Sequence, residues 1–236
     1  MCNLFSMTTN QQAIRDLAKV MVDRTGNLPP LPGVYPNMMA PIVRNSADGR
    51  ELVMARWGMP TPPRYLVGKT VDRGVTNIRN PQSPHWRPWL DVSHRCVVPF
   101  TSFAEPEPLP DGSRPPAWFA FGETRPLAFF AGIWCRWTSV RKAKDGETTD
   151  DLFGFLTTQA NHEVGAIHPK AMPVILTTGA EIDRWMTTPI DDALRLQRPL
   201  HDGTLTIVAR ANPEDPVPPR EPAHPSPRNG CSSERR

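Results

Sequence analysis

Cysteine is scarce in this sequence of 236 residues, and the positions of its four copies exclude two common uses. They stand at 2, 96, 135 and 231, without a CxxC pair and without regular spacing. Such an arrangement builds neither a disulfide framework nor a zinc site. The six histidines also lack the paired spacing typical of metal ligands. We therefore expect free thiols, no metal and no cofactor.

Long hydrophobic runs are missing as well. No stretch of about 18 consecutive apolar residues occurs, and the N-terminus lacks the basic and apolar regions of a secretory signal. Apolar residues still make up 39% of the chain, which is compatible with a folded globular domain. Together with the free thiols, these absences predict a cytoplasmic protein that does not enter a membrane.

Proline, in contrast, is abundant. Its 29 copies are about twice the average usage and indicate many loops and few long helices. Several short segments have strand-like patterns, and they do not alternate regularly with helices. We therefore predict an α+β fold, a single domain with a mixed, largely antiparallel, barrel-like β core and short peripheral helices.

The pattern also predicts where the elements lie. A first helix is expected at residues 10–24 with Asn10 as its cap, followed by a loop at 26–41 broken by proline and glycine. Residues 60–89 are irregular, and long loops of this kind inside a compact domain are often functional. Strands are predicted at residues 51–59, 95–103, 117–121, 127–137, 152–158, 173–177 and 204–209, and further short helices at residues 161–167, 180–187 and 191–195.

A change of composition predicts the end of the domain. Residues 213–236 contain seven prolines among 24 residues and almost nothing apolar. Such a segment cannot bury enough apolar surface to fold. We therefore expect one domain at residues 1–212 and a proline-rich, disordered tail at residues 213–236.

The charge of the chain is unevenly distributed. The formal net charge of +3 is too small to identify a partner. Between Arg56 and Arg95, however, there are seven basic residues and only two acidic ones, Asp72 and Asp91. This local excess could attract phosphate groups. A solvated loop surface explains the charge equally well.

Position 2 gives the first indication of chemistry. A methionine followed by a residue as small as cysteine is normally removed, so the mature chain should begin with Cys2. An N-terminal cysteine carries an amine and a thiol with reference pKa values near 8 and about 8.5, so both are partly nucleophilic at neutral pH. The amine condenses with an aldehyde to an imine, and the thiolate then closes a thiazolidine ring. The ring-opened sugar of an abasic site in DNA presents such an aldehyde.

Three further segments carry polar residues that suit this chemistry. Asn77 and Arg79 lie in the basic irregular stretch, and an arginine offers a fork of donors to phosphate. Glu105 stands at the end of a predicted strand, and His168 stands between a short helix and a strand. Each segment is weak alone, because a single glutamate is usually a solvated surface group and a single histidine is usually structural.

Taken in order, these segments resemble the SRAP family, the SOS response-associated peptidases or abasic-site processing proteins. The resemblance runs from Met1 to about Ala209, nearly the whole predicted domain. It rests on the Met-Cys start, Asn37 with Ala40-Pro41, Ala55-Arg56-Trp57-Gly58, Asn77-x-Arg79, Arg95-Cys96-x-x-Pro99 with Phe103-x-Glu105, and Ile167-His168 with Met172-Pro173.

The resemblance implies a mixed β core and a partner, single-stranded DNA with abasic sites. It also implies a covalent thiazolidine crosslink that shields the abasic site during the DNA damage response, with Cys2 as the nucleophile. Activity would be of the hydrolase or lyase class, and we expect a monomer that joins the nucleoid during repair. The implied catalytic set is Cys2, Asn77, Glu105 and His168, and the implied DNA-binding set is Arg79, Arg56, Arg64, Arg73 and Pro41.

Physical chemistry suggests a role for each implied catalytic group. Glu105 would hold and deprotonate the amine, a task that suits a carboxylate whose pKa is raised by burial. His168 titrates near neutrality and would protonate the sugar oxygen or the departing hydroxyl. Asn77 would fix the amine or the sugar. The same site would remove a propeptide in other members, and we expect none here because Cys2 directly follows Met1.

The sequence also departs from the family pattern. The family usually begins Met-Cys-Gly-Arg, whereas Asn3 and Leu4 stand here, so one phosphate-binding arginine is missing. Pro60 and its neighbours replace a tryptophan that stacks on bases, and Pro106 replaces the usual tryptophan after Glu105. The catalytic set is therefore complete, while the DNA contacts are modified.

Two other functions remain open from the residues. An N-terminal-nucleophile amidohydrolase would also begin with Cys2, but it would need an oxyanion hole and a glutamine-binding arginine. A non-catalytic nucleic-acid-binding module would need only the basic loop, and its activity would survive Cys2→Ala.

Overall fold

The computed structural model describes residues 2–215. Residues 216–236 of the predicted tail lie outside the described part. The strands are β1 (Phe5–Met7), β2 (Val22–Asp23), β3 (Leu31–Val34), β4 (Met39–Ser46), β5 (Gly49–Trp57), β6 (Asn77–Ile78), β7 (Arg95–Phe100), β8 (Ser102–Pro106), β9 (Pro116–Ala120), β10 (Ala128–Val140), β11 (Glu147–Thr158), β12 (Met172–Pro173), β13 (Ile175–Leu176) and β14 (Thr206–Arg210). The α-helices are α1 (Gln11–Ala18), α2 (His162–Gly165), α3 (Gly179–Thr187) and α4 (Ile190–Ala193).

Five strands close into a mixed barrel. Antiparallel pairing runs in the order β11-β10-β7-β4-β5, and β5 then pairs in parallel with β11. The closing contacts join Leu152 to Arg56 and Phe153 to Trp57. The α+β fold with a mixed, barrel-like core is therefore confirmed.

A second sheet carries the N-terminus. Its strand order is β14-β9-β8-β1-β3, and β1 is antiparallel to both neighbours. Phe5 pairs with Phe103, and Ser6 pairs with Ser102. This pairing places the first residues of the chain beside the end of β8.

Aromatic side chains fill the space between the barrel and the second sheet. The rings of Phe100 and Phe130 stack with centroids 3.9 Å apart, and Phe130 lies 4.5 Å from Phe155. Phe5 meets Trp57 edge to face at 5.1 Å. Such pairs add to the stabilisation from apolar burial. The strand that positions the N-terminus is thus held by the centre of the core.

The first helix is shorter than predicted. Asn10 caps it as expected, because its side-chain oxygen accepts the Ala13 N–H at 2.8 Å. The helix ends at Ala18, however, since Lys19 adopts a left-handed conformation with φ of 54°. Residues 22–23 then pair in parallel with β5. The prediction that the helix continues to residue 24 was therefore wrong for residues 19–24.

Five strands were not predicted, namely β1, β2, β3, β4 and β6. β1 is three residues long and too short to show alternation, and β3 lies inside the segment predicted as loop. β3 contains Pro32 and Gly33, which normally argue against a strand. The structure tolerates them because β3 is at the edge of its sheet, with β1 as its partner.

The irregular basic segment is fixed to the barrel by a close glycine contact. Between β5 and β6 an isolated antiparallel bridge joins Met59 to Val75. Gly58 and Gly74 both have positive φ, and a Cβ on Gly74 would lie 2.9 Å from the Gly58 Cα. Buried Arg141 donates to the carbonyl oxygens of Gly58 and Asp72. The loop is therefore held at the end of the β10–β11 hairpin.

The first residues of the predicted tail pack on the domain. Asp215 is fully buried and accepts hydrogen bonds from Arg125 Nε at 2.6 Å and from Ser102 Oγ. Its backbone N–H donates to the Pro32 carbonyl at 2.9 Å. Residues 213–215 thus belong to the ordered surface, which the predicted boundary after residue 212 excluded.

Within residues 2–215, no helix is both long enough and apolar enough to span a membrane. The same residues contain no cluster of three or more histidine, cysteine, aspartate or glutamate side chains able to hold a metal ion.

Candidate active site

Cys2 lies buried where the second sheet meets the barrel. The Ala104 N–H donates to the Leu4 carbonyl at 2.9 Å and extends the β1–β8 pairing toward the N-terminus. Only 1% of Cys2 is exposed, and its Sγ–H donates to the Leu4 carbonyl at 3.4 Å. The pairing of strands thus brings residue 2 next to Glu105, more than a hundred residues later in the chain.

Asn77 holds the backbone of Cys2. Its Nδ2 donates to the Cys2 carbonyl at 2.8 Å and to Thr76 Oγ1 at 2.8 Å. Thr76 Oγ1 in turn donates to Asn3 Oδ1 at 3.1 Å. Among the described residues, Asn77 Oδ1 is buried without a hydrogen-bond partner. The amide therefore fixes residue 2 and keeps one acceptor for another donor.

Glu105 is the buried carboxyl of the site. It lies on β8 with no exposed surface. Burial raises its pKa from 4.5 to about 7, because a charged carboxylate is poorly solvated there. At neutral pH it can therefore both take up and release a proton.

The thiol of Cys2 differs from the sequence prediction. Burial raises its pKa strongly, and the negative charge of Glu105 raises it further. The prediction of partial ionisation at neutral pH was wrong for this state, since a buried thiol beside a carboxylate stays protonated.

His168 also lies close to Glu105. Its Nδ1 is 3.2 Å from the Ala171 carbonyl and 3.9 Å from Glu105 Oε2. Burial lowers the pKa of His168, so the ring is mainly neutral at pH 7. With Nδ1–H directed at the Ala171 carbonyl, Nε2 is the proton acceptor. A neutral ring does not fit the predicted role as an acid without prior protonation.

A cavity of about 370 Å³ opens beside Glu105. Its polar lining residues are Asn3 and Arg114, which are exposed, and Glu105, which is covered. The remaining wall is apolar or aromatic and consists of Leu4, Tyr35, Pro36, Ala104, Pro106, Pro116 and Pro213.

Three of the predicted DNA-binding arginines are exposed. Arg79 follows Asn77 by two residues, and its carbonyl accepts a hydrogen bond from Gln197 at 3.0 Å. Arg64 lies over the ring of Tyr65 at 4.7 Å, and Arg73 is on the same loop. These side chains can reach a phosphate backbone.

Two other predicted DNA-binding residues are placed less favourably. Pro41 is buried inside β4, where it pairs with Met54, so it cannot touch DNA in this conformation. Arg56 forms an ion pair with Asp150 at 3.1 Å and donates to the Asn37 carbonyl, so its charge is already matched. Neither residue therefore forms part of the proposed DNA surface.

Two residues of the site were not identified from the sequence. Thr76 and Asn3 complete the hydrogen-bond network around Asn77. In the sequence, only their positions next to Asn77 and Cys2 could have indicated that they belong to the site. Thr76 was given no role, and Asn3 was noted only as a departure from the family pattern.

A family comparison covers nearly the whole described chain. The family model described as SOS response associated peptidase (SRAP) matches residues 1–210. The chain belongs to the SRAP family. A comparison with curated proteins finds no match for this SRAP protein.

Solved structures share the fold of this SRAP chain. A protein from Bordetella bronchiseptica has a TM-score of 0.66 at 22% identity, covering 87% of this chain and 97% of that one. A protein from Bacteroides thetaiotaomicron has a TM-score of 0.65 at 21% identity, with coverage of 92% and 97%. A phage-related protein from Bordetella bronchiseptica has a TM-score of 0.59 at 17% identity, with coverage of 83% and 87%.

Proposed function

We propose that this SRAP protein, after removal of Met1, bonds covalently through Cys2 to abasic sites in single-stranded DNA. The observation that carries the proposal is the environment of residue 2. Its carbonyl is held by Asn77, and its thiol lies beside the buried carboxyl of Glu105. The family description, which names the SOS response, supports a role in DNA damage.

The reaction begins at the amine, since the thiol is protonated. The free amine of Cys2 attacks the aldehyde carbon of the opened sugar, and loss of water gives an imine. Glu105 takes a proton from the amine and returns it to the departing hydroxyl, which a carboxyl with a pKa of about 7 can do.

Ring closure follows. The thiol adds to the imine carbon, a C–S bond forms, and the thiol proton passes to the nitrogen. The product is a thiazolidine, and the net change is the release of one water. Neutral His168, whose Nδ1 lies 3.9 Å from Glu105, receives and returns a proton at Nε2 in this exchange. Asn77 Oδ1 accepts a hydrogen bond from the amine or the sugar hydroxyl.

Exposed arginines bind the phosphates of the DNA strand. Arg79 lies two residues from Asn77, so a phosphate bound to it belongs to a nucleotide close to the reacting sugar. Arg64 and Arg73 extend this basic surface along the loop.

The test is incubation of the full chain, with loss of Met1 verified by intact mass, with an oligonucleotide containing one abasic site. We expect a covalent species that survives a denaturing gel, and none with intact single-stranded DNA. A crosslink of equal yield with Cys2→Ala would refute the proposal.

Cys2→Ser is the matched control. It keeps the amine and removes the sulfur, so it should form an imine that borohydride traps and that is otherwise lost. A stable crosslink without borohydride would place the bond elsewhere. Unchanged DNA binding by Cys2→Ala together with no wild-type crosslink would favour a non-catalytic binding module, and glutaminase activity would favour an amidohydrolase.

A further inference from the structure

The cavity beside Glu105 has a composition that the crosslinking reaction does not require. An abasic sugar is polar and carries no base, yet most of the cavity wall is apolar. Leu4 is 8% exposed and packs with Ala104 and Trp118, and it presents the rest of its surface to the cavity. Such a wall favours a flat apolar group over a sugar or a phosphate.

Tyr35 is held in a fixed position at this cavity. Its hydroxyl donates to the Pro213 carbonyl at 2.7 Å, and 39% of the residue stays exposed. The arm that carries Pro213 is in turn anchored by buried Asp215. An aromatic ring fixed before binding loses little entropy when a partner stacks on it.

The size of the cavity also restricts its occupant. About 370 Å³ lies at the low end of the range typical of small-molecule sites, roughly 300–1,000 Å³. Its exposed polar residues are Asn3 and Arg114, which can meet a sugar or a phosphate. The combination of one fixed ring, apolar walls and a basic rim matches a single nucleobase with its attached backbone.

We propose that this cavity binds the base of a nucleotide immediately adjacent to the abasic site. The inference rests on the proposed function, since Glu105 belongs both to the reactive site and to the cavity wall. When the abasic sugar reacts at Cys2, the neighbouring nucleotide lies within reach of the cavity. The base of that nucleotide is flat and has apolar faces, and the cavity would shield it from water. The protein thus recognises an abasic site partly through the base beside it.

The test measures equilibrium binding and does not depend on the crosslink. Fluorescence anisotropy compares three oligonucleotides with a central tetrahydrofuran, which lacks the aldehyde. The first has normal neighbours, and the others have a second tetrahydrofuran on the 5′ or the 3′ side. Removal of one neighbouring base should weaken wild-type binding about five- to a hundredfold, and removal of the other should have little effect.

Tyr35→Ala and Tyr35→Phe complete the experiment. Tyr35→Ala should weaken binding of the first oligonucleotide and should add no further loss where the recognised base is already absent. Tyr35→Phe keeps the ring and should keep the dependence on that base. Since the neighbouring base is removed on the DNA, a folding defect of a variant cannot produce the wild-type result.

The outcomes separate this inference from the proposed function. Equal wild-type binding of all three oligonucleotides would overturn the cavity assignment, even if an aldehyde-bearing oligonucleotide crosslinks normally. Loss of affinity that is additive between Tyr35→Ala and the missing base would also overturn it. Base-dependent binding without any crosslink would keep the cavity and refute the crosslinking function.

Discussion

The replacement of Glu105 by glutamine should make the protein more stable and less active. The side chain keeps nearly the same shape but cannot ionise. In the folded protein the pKa of Glu105 is about 7, whereas an unfolded chain titrates near its ordinary value of 4.5. Wild-type stability should therefore fall as the pH rises from about 4.5 to about 7, because the folded state resists losing this proton.

The size of the effect follows from the two pKa values. A difference between 4.5 and about 7 corresponds to a free energy of unfolding lower by about 3 kcal/mol above pH 7. Glu105→Gln lacks this loss and should be more stable than the wild type at pH 8.5. Below pH 4.5 the two proteins should be nearly equal, since the wild-type carboxyl is then protonated in both states.

Urea unfolding at pH 4.5 and pH 8.5 measures the difference, with linear extrapolation to water. In parallel, the single-turnover rate of crosslinking should fall about 10²- to 10⁴-fold in Glu105→Gln. The reasoning is refuted if the variant is less stable than the wild type at pH 8.5, since Glu105 would then be a stabilised carboxylate. An unchanged rate would remove it from proton transfer.

Four further outcomes are expected. His168→Ala should slow crosslinking at least about tenfold while binding of intact single-stranded DNA stays unchanged, and parallel losses of rate and binding would make the residue structural. Arg79→Ala should lower the salt-dependence slope of DNA binding by about 0.7 without changing the melting temperature, and an early-melting variant with the wild-type slope would remove it from the DNA surface. Leu4→Arg should steepen that slope and abolish the dependence on the neighbouring base, and full retention of that dependence would contradict a cavity at Leu4. Asp215→Ala should lower the free energy of unfolding by about 3 kcal/mol in urea titrations, because it removes the buried ion-pair partner of Arg125 and leaves only the exposed carboxylate of Glu123 near that charge, and a change below about 0.5 kcal/mol would show that the arm does not hold the domain.

The fold class was predictable because the longer strands carry strong patterns. β10 and β11 run through apolar and β-branched residues, and both were located from the sequence. The closure of the barrel was not predictable, since it depends on the parallel contact between Phe153 and Trp57, far apart in the chain. β1 was not predicted because three residues are too few to show an alternation of apolar and polar side chains.

The residues of the candidate site could be named from the sequence, but the direction of their pKa changes could not. Residue types and their order indicated Cys2, Asn77, Glu105 and His168, which the fold brings together. The direction of each pKa change depends on burial, which the sequence does not state. A thiol expected to be reactive is protonated, and a histidine expected to titrate near neutrality is mainly neutral.

The burial of Cys2 has a consequence for its survival in a cell under oxidative stress. Hydrogen peroxide and alkylating agents react with exposed thiolates, and they react slowly with buried thiols. Cys2 is 1% exposed and its pKa is raised, so it should resist sulfenic acid formation. Agents that damage DNA bases often oxidise thiols as well. Under the proposed function, Cys2 kept as a covered thiol would stay intact under the conditions that create abasic sites.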